Sequence, residues 1–324
     1  MKKRSLWLVA LAAVVACGAC SEKEGKYSPK KEIEKVYRST GSEEEHFNAA
    51  TGVWERVSSV TTPKVLAETW DWEDGLLTKI VYNAEATAGG QEETLYFTYE
   101  KKRVSRIDGG NEFMTFVYKG KNLRRAELYD KEVNPGAPFT TYTFSYDGDK
   151  VSKIEVMSRE MDSKGAAGVL QSRWAEWMQA ATGWSPATAA VLSEAKGMTR
   201  ETLSLTWSGD NVGSVQAEND FSTVRTVYTY DNKVNPFRHF LYTLNGYAGG
   251  ETVFANANNV LKSVSKSVYP GSESKMEEET EVNYSYVYQN DWPVEKHQQS
   301  VFLPWGEESV RVIERVSYYY EYDD

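Results

Sequence analysis

The feature that most constrains this chain is a short hairpin pattern that recurs along most of its length. Each copy begins with aromatic or β-branched residues alternating with Thr and Ser, as in residues 142–146 (Tyr-Thr-Phe-Ser-Tyr). A cluster of Asp, Gly and Lys follows at residues 147–150, and a second apolar segment begins at Val151. A period of two predicts a half-buried strand, and Asp, Asn and Gly tolerate the positive φ of tight hairpin turns. The repeat therefore predicts an antiparallel meander of hairpins.

The spacing within the copies carries two further predictions. The return segment places its second apolar residue three positions after the first, as in Val151 and Ile154, which breaks strict alternation. We expect either that the first residue plugs the sheet end near the turn or that a β-bulge separates the two. Connections at the other end are longer, and long loops on a rigid sheet are where binding residues usually lie. These connections are predicted at residues 130–138, 242–250 and 270–279.

The predicted fold is mainly β: a hairpin meander forming a curved sheet or a closed barrel. Closure would remove exposed strand edges. A barrel embedded in a membrane should present a continuous apolar band to lipid. The strand segments instead carry charges such as Arg103, Arg106, Lys153 and Glu155. We therefore expect a barrel or sheet that is surrounded by water.

The hairpin pattern stops between residues 161 and 196, where a helical insertion at about 165–196 is predicted. Residues 165–181 carry an apolar stripe at helical spacing, and Ser185 with Pro186 suits the start of a second helix. The insertion is either a lid that presents Trp174, Trp177 and Trp184 to a ligand or a cover for the open end of the sheet. Aromatic residues at helical spacing are usually core, which favours the cover.

The N-terminus predicts export. Lys2, Lys3 and Arg4 precede an apolar stretch at residues 5–16, which is shorter than the roughly 20 residues that span a bilayer. Residues 14–17 (Val-Val-Ala-Cys) resemble the lipobox of bacterial lipoproteins, which implies cleavage of residues 1–16 and acylation of Cys17. Cys20 is the alternative, because the acidic stretch after it resembles surface-exported lipoproteins of the Bacteroidetes. A flexible tether at residues 17–50 and a single domain at 51–324 are predicted to follow.

Two motifs in the repeat resemble known families. Tyr-x-Tyr-Asp at residues 228–231 and Lys-Val-x-x-Ile at 150–154 resemble the tyrosine-aspartate (RHS-like) hairpin repeats of bacterial secreted shell proteins. The pattern is more similar to a family of Bacteroidetes secreted lipoproteins with a porin-like β fold, over most of residues 65–324. The resemblance implies that fold and carries over no catalytic residues, because the family has no known activity.

The residues that carry chemistry are sparse. Both cysteines lie near the N-terminus, so the domain has no disulfide. A formal net charge of -10 does not suit nucleic acid. The three histidines lack the spacing of metal ligands, and neither a nucleophile elbow nor a phosphate-binding glycine loop is present. No catalytic residue, metal or cofactor is therefore predicted.

The predicted function is a lipoprotein of the outer membrane, surface-exposed or periplasmic, whose membrane partner is bound through the lipid anchor. The domain is predicted to be a non-enzymatic binding or scaffold protein for a glycan, a peptide or an envelope protein. A glycoside hydrolase with unidentified carboxylates and a lipid or lipoprotein carrier are the alternatives. The candidate ligand contacts are Trp174, Trp177, Trp184, Trp292 and Trp305.

Overall fold

The computed structural model describes residues 24–86, 90–132, 134–159, 198–220, 222–240, 256–268, 277–302 and 309–323. These ranges hold 17 β-strands in one antiparallel sheet and one turn of 3-10 helix at Ala84–Ala86. The strands are β1 (Ile33–Asn48), β2 (Val53–Thr61), β3 (Val65–Glu73), β4 (Leu76–Tyr82), β5 (Glu93–Glu100), β6 (Arg103–Gly109), β7 (Glu112–Lys119), β8 (Asn122–Asp130), β9 (Thr140–Asp147), β10 (Lys150–Arg159), β11 (Met198–Ser208), β12 (Asn211–Glu218), β13 (Thr223–Tyr230), β14 (Val260–Val268), β15 (Glu277–Gln289), β16 (Trp292–Phe302) and β17 (Val310–Tyr322). Among the described residues, no helix has the length and apolar character needed to cross a membrane.

The sheet closes into a barrel. Strands β3 to β17 pair in sequence order, each antiparallel to the next. The first strand then pairs with β17 on one edge and, over Lys35 to Arg38, with β3 on the other. The result is a barrel of 16 strands with β2 as an extra strand. The prediction of a mainly β meander is confirmed, and of its two forms the closed barrel is the one observed.

A β-bulge marks each of the regular hairpins. In the β9–β10 hairpin, Tyr146 faces Val151 but Ser145 faces Lys153, so Ser152 is an extra residue. The same shift occurs in the hairpins β3–β4, β5–β6, β7–β8, β11–β12 and β15–β16. Because of the extra residue, Val151 and Ile154 both point into the core, where both are buried. The spacing predicts one of two alternatives: a β-bulge, or a first apolar residue that fills the end of the sheet near the turn. The structure shows both.

The inner and outer faces of the wall differ in polarity. Alternate residues of every barrel strand except β15 and β16 contribute buried apolar side chains to one continuous core. Outward-facing residues instead form ion pairs, with N–O distances of 3.0 Å for Lys79–Asp71 and 2.8 Å for Lys153–Glu155. Exposed pairs of this kind add little stability. Their consequence is chemical: charged groups interrupt the outer face where lipid would require an apolar band.

A ring of aromatic side chains ties neighbouring strands together at the end of the barrel that carries the tight turns, the short-turn end. A Tyr hydroxyl or Trp indole N–H of one strand donates to a backbone carbonyl of the neighbouring barrel strand, over 2.7–2.9 Å. The tight turns at this end join other pairs of strands, and the chain connects the two strands linked by each of these hydrogen bonds from the opposite, long-loop end. The eight pairs, called the Tyr/Trp belt below, are Trp72–Ile33, Tyr99–Leu77, Tyr118–Val104, Tyr146–Leu123, Trp207–Val151, Tyr230–Val212, Tyr286–Val260 and Tyr322–Pro293.

The predicted tether is wrong over residues 33–48, which form β1, the longest strand at 16 residues. Charged residues such as Lys35 and Glu43 lie on its outward face, where they find partners. The Nζ atom of Lys35 lies 3.2 Å from the Glu321 carboxylate, and Glu43 lies 2.9 Å from the Arg315 guanidinium. Ile33 and Val36 point inward and are buried. Pairing with β17 thus supplies the apolar and ionic contacts that this polar stretch lacks by itself.

The predicted loop at residues 242–250 lies outside the described residues, and the strands on either side of it place their connection at the other end of the barrel. Strand β13 ends at Tyr230 and β14 begins at Val260, both at the short-turn end, so the connection leaves from there. Residues 231–240 and 256–259, called the plug below, turn into the barrel lumen. The Phe240 ring lies 5.2 Å from that of Trp70 and 6.1 Å from that of Phe97, which belong to β3 and β5. The predicted helical insertion at 165–196 lies outside the described residues.

Candidate functional site

Only one of the predicted ligand contacts falls within the described residues. Trp292 begins β16 at the short-turn end, is half-buried, and lies edge-on to the ring of Tyr322 at 5.9 Å. This contact makes Trp292 part of the barrel wall. The remaining predicted contacts and lipidation sites lie outside the described residues: Trp174, Trp177, Trp184, Trp305, Cys17 and Cys20.

One side of the barrel rises above the rest of its rim. Strands β15, β17 and β1 have 13, 13 and 16 residues, whereas β4 and β6 have 7. At about 3.3 Å per residue, β1 extends over about 50 Å and β4 over about 23 Å. The upper part of β1, from Gly41 to His46, pairs with β17 on one side and with β2 on the other. This part of the wall projects beyond the core of the barrel at the long-loop end.

Strand β2 forms the free edge of the projection. Among the described residues β2 pairs with β1 alone, so its outer row of backbone N–H and C=O groups faces no described strand. Every β2 residue except Trp54 is exposed. Three valines stand out, with exposed fractions of 55% for Val53, 59% for Val57 and 65% for Val60. An exposed edge of this kind is a ready template for the addition of another strand.

The projection is held in place by contacts across its own strands. The Glu45 carboxylate lies 2.6 Å from the Arg311 guanidinium, which in turn lies 4.6 Å from the centre of the Trp54 ring. The Phe47 ring lies 5.4 Å from that of Trp54. These contacts cover the Trp54 ring and leave the backbone edge of β2 open. The site is therefore a supported strand edge and not an aromatic platform.

A second unusual feature lies inside the barrel. Lys296 on β16 points inward and is only 2% exposed. Its Nζ atom lies 5.2 Å from the ring centre of Tyr284 and 5.4 Å from that of Tyr318, and in the described part of the chain it has no hydrogen-bond partner. Burial without a counter-charge lowers the pKa of the Lys296 ammonium from 10.5 to about 7.

The Lys296 side chain borders a small cavity between the plug and strands β14 to β17. The cavity has a volume of about 10 Å³, which is room for about one water molecule. Its wall includes several Asn side chains, and their hydrogen bonds are mostly made within the plug. The Asn235 amide donates to the carbonyl of Asn256 over 2.9 Å, and that of Asn258 donates to the carbonyl of Lys233 over 2.9 Å. This network fixes the plug and leaves little space for a larger ligand.

Buried carboxyl groups also face the lumen. Glu112 on β7 and Glu201 on β11 are 1% and 8% exposed. Burial is the main cause that raises the pKa of the Tyr142 hydroxyl, and the nearby Glu201 and Glu112 carboxylates raise it further. The sequence gives no signal for these acids, because neither belongs to a motif that sets it apart from the other acidic residues of the chain. Within the described ranges, no cluster of His, Cys, Asp and Glu has the arrangement of a metal site.

The chain enters the barrel at the short-turn end through residues 24–32, called the strap below. The backbone N–H of Glu24 donates to the carbonyl of Lys121 over 3.1 Å. The Glu24 carboxylate accepts hydrogen bonds from the Leu123 N–H at 2.5 Å and from the Tyr146 hydroxyl at 2.6 Å. Burial raises the pKa of Glu24, and these two hydrogen bonds oppose the rise. The strap is thus tied directly to the β7–β8 turn.

The strap and the plug meet inside the barrel. Tyr27 is 2% exposed, donates its hydroxyl to the carbonyl of Pro236 over 2.9 Å, and stacks on Phe240 at 4.7 Å. Residues from the N-terminus and from the β13–β14 connection therefore close the short-turn end together.

Comparisons with known proteins give a likeness of fold. The chain is similar to a porin-like protein from Bacteroides uniformis, with 15% identity, a TM-score of 0.44, and coverage of 89% of this chain and 98% of that one. It is also similar to a porin-like protein from Bacteroides vulgatus, with 9% identity, a TM-score of 0.32, and coverage of 90% and 99%. No protein-family model and no curated protein matches the sequence. The lipoprotein family and the tyrosine-aspartate repeats find no support in these comparisons.

Proposed function

We propose that the chain is a lipid-anchored protein of the bacterial cell envelope that binds an extended segment of a partner protein along strand β2. The observation that carries the proposal is the free, exposed edge of β2 on a supported projection. An extended segment would add as a further strand, with main-chain hydrogen bonds supplying affinity and the exposed valines supplying apolar contacts.

Features elsewhere in the molecule favour binding over conduction. Tyr27, Phe237 and Phe240 fill the lumen at the short-turn end, where all three are buried. The ion pairs on the outer wall favour a domain surrounded by water. Anchoring rests on the leader and on Cys17 or Cys20. It places the domain at a membrane without threading it through one.

The chemistry of β2 favours a polypeptide over a glycan. An unpaired strand edge complements the alternating donors and acceptors of another backbone. Sugar rings are better matched by exposed flat aromatic rings, and Trp54 is covered by Phe47 and Arg311. The glycoside hydrolase and the carrier remain hypotheses that no observation here favours.

The proposal is tested by photo-cross-linking in intact cells. A photoreactive amino acid is placed at Ser59 on β2 and, in a second strain, at Val227, an exposed residue of the barrel wall (44% exposed). We expect one discrete cross-linked product from position 59 and none from position 227. Mass spectrometry of the product should identify an extended segment of one partner protein.

A matched pair of substitutions then distinguishes strand pairing at the β2 edge from non-specific association. Val57→Lys places a charge on the free edge, which disfavours strand addition, whereas Val227→Lys places the same charge on the wall. We expect Val57→Lys to abolish the product and Val227→Lys to leave it unchanged. Equal cross-linking from both positions would refute the proposal. A product made only of this chain would replace the partner by a second copy.

A further inference from the structure

The position of the strap relates the barrel to its membrane. Glu24 lies four positions after Cys20 and seven positions after Cys17, the two candidates for the lipidated residue. An extended chain covers at most about 3.5 Å per residue, so the reach is about 14 Å or about 25 Å. Glu24 is hydrogen-bonded to the β7–β8 turn. The short-turn end is therefore held next to the membrane, while the projection with β2 starts at the opposite end.

Lysines cluster where the strap leaves the barrel. Lys101 and Lys102 form the β5–β6 turn, Lys119 and Lys121 flank the β7–β8 turn, and Lys26 belongs to the strap. All except Lys121 are exposed. The Lys121 amine lies 3.4 Å from the Asp149 carboxylate, so it is partly neutralised.

The remaining turns at this end are less basic. Glu100 and Asp149 are exposed carboxylates next to the lysines, and Asp74, Asp210 and Asp291 lie on other turns of the same end. The four exposed lysines thus form a local basic sector on a chain whose formal net charge is -10. A chain of that charge is repelled by an anionic surface overall, so the face that approaches such a surface has to be a locally basic one.

We infer that the barrel stands on its short-turn end with Lys26, Lys101, Lys102 and Lys119 against anionic lipid headgroups, so that β2 points away from the membrane. The inference rests on the anchoring part of the proposed function. The short stretch between the lipidated cysteine and Glu24 decides which end of the barrel is near the membrane. The position of the lysines around the exit of the strap decides which sector of that end touches the membrane. The partner is the surface of a bilayer that contains anionic lipid, to which each lysine near the surface is attracted.

The test uses the full lipidated protein, purified in detergent and added to preformed vesicles. Lysines are pulse-acetylated and quantified by mass spectrometry on vesicles of phosphatidylcholine with phosphatidylglycerol, on phosphatidylcholine alone, and in detergent. We expect acetylation of Lys101, Lys102 and Lys119 to slow about five-fold on the anionic vesicles, as the attraction of a surface-bound lysine implies. Lys79 and Lys262 on the wall should be unaffected. High salt should remove the protection.

A matched pair of variants checks the contact itself. The variant Lys101→Asn/Lys102→Asn/Lys119→Gln keeps residues that tolerate the positive φ at positions 101 and 102. It should lose the salt-dependent protection of Lys26, and Lys79→Gln/Lys153→Gln/Lys262→Gln should keep it.

Three outcomes would refute either the orientation inferred here or the lipid anchoring of the proposed function. Slowing of the wall lysines would mean that the barrel lies on its side, and no slowing anywhere would mean that no headgroup contact forms. If the N-terminal peptide has the mass of a lipidated cysteine, either of these two results refutes only the inference about orientation. Absence of the lipid mass would instead refute the anchoring in the proposed function.

Discussion

Replacing Lys296 with Met tests the electrostatic state of the barrel interior. Met keeps most of the aliphatic volume of Lys and removes the amine. The wild-type ammonium is buried between the rings of Tyr284 and Tyr318 and has no hydrogen-bond partner within the described residues. In the unfolded chain the same amine is hydrated and charged at neutral pH. Folding at pH 7 therefore has to desolvate or deprotonate it, and the substitution removes that cost.

The magnitude follows from the pKa of Lys296, which burial lowers from 10.5 to about 7. One pKa unit corresponds to about 1.4 kcal/mol, so the full penalty is about 5 kcal/mol. The unfolded chain binds more protons than the folded one between pH 7 and 10.5, so wild-type stability from this group rises with pH across that window. Below about pH 7 the penalty has its full value. Above 10.5 it is absent.

Urea denaturation, followed by tryptophan fluorescence at several pH values, measures the effect. We expect Lys296→Met to unfold with a free energy several kcal/mol above that of the wild type at pH 7, and with a difference that shrinks to below about 1 kcal/mol by pH 10. Lys119→Met, at an exposed lysine, is the control and should match the wild type throughout. A Lys296→Met variant that is less stable at pH 7, or a difference that does not change with pH, would refute the desolvated lysine.

Two further substitutions probe how the short-turn end is held together. Tyr118→Phe removes a 2.7 Å hydrogen bond of the Tyr/Trp belt to the Val104 carbonyl and should lower the free energy of unfolding by about 1 kcal/mol, whereas Tyr96→Phe at an exposed ring should not. Gly25→Ala adds a methyl group that overlaps the Tyr118 hydroxyl, at a φ of 76°. It should cost more than Gly52→Ala, which has a φ of 69° but nothing within 4 Å. The left-handed φ alone costs about 1–2 kcal/mol, so equal losses for the two glycines in the same denaturation assay would mean that the strap does not pack on Tyr118.

Local features of the hairpins could be predicted from the sequence because they depend on neighbouring residues. The turn residues and the three-position spacing from Val151 to Ile154 predict the turn and the bulge of each copy. The closure of the meander into a barrel could not be predicted in the same way. Closure depends on the pairing of β1 with β17, whose facing residues, such as Lys35 and Glu321, are far apart in the sequence.

The same reason explains the sequence predictions that were wrong. Residues 33–48 look like a solvated linker, since the partners of their charges lie on β17 and β2. Residues 231–234 look like another tight turn, but the chain there enters the lumen, because Phe237 and Phe240 find the apolar faces of distant strands. Lys296 stands between Glu295 and His297 and looks like part of a solvated face. The bulge before it decides that it points inward.

The pairing of the first strand with the last has a consequence for how the protein matures. Lys35 and Glu321, which meet across that seam, are 286 positions apart in the chain. The N-terminal strand therefore emerges first during synthesis but finds its barrel partner only when the C-terminal strand arrives. Such distant contacts make folding slow, because the entropy of a very long loop must be lost before they stabilise anything. During that interval the unpaired edges of the hairpin array are open to other chains, so we expect the unfinished barrel to need a chaperone until its last strand has been made.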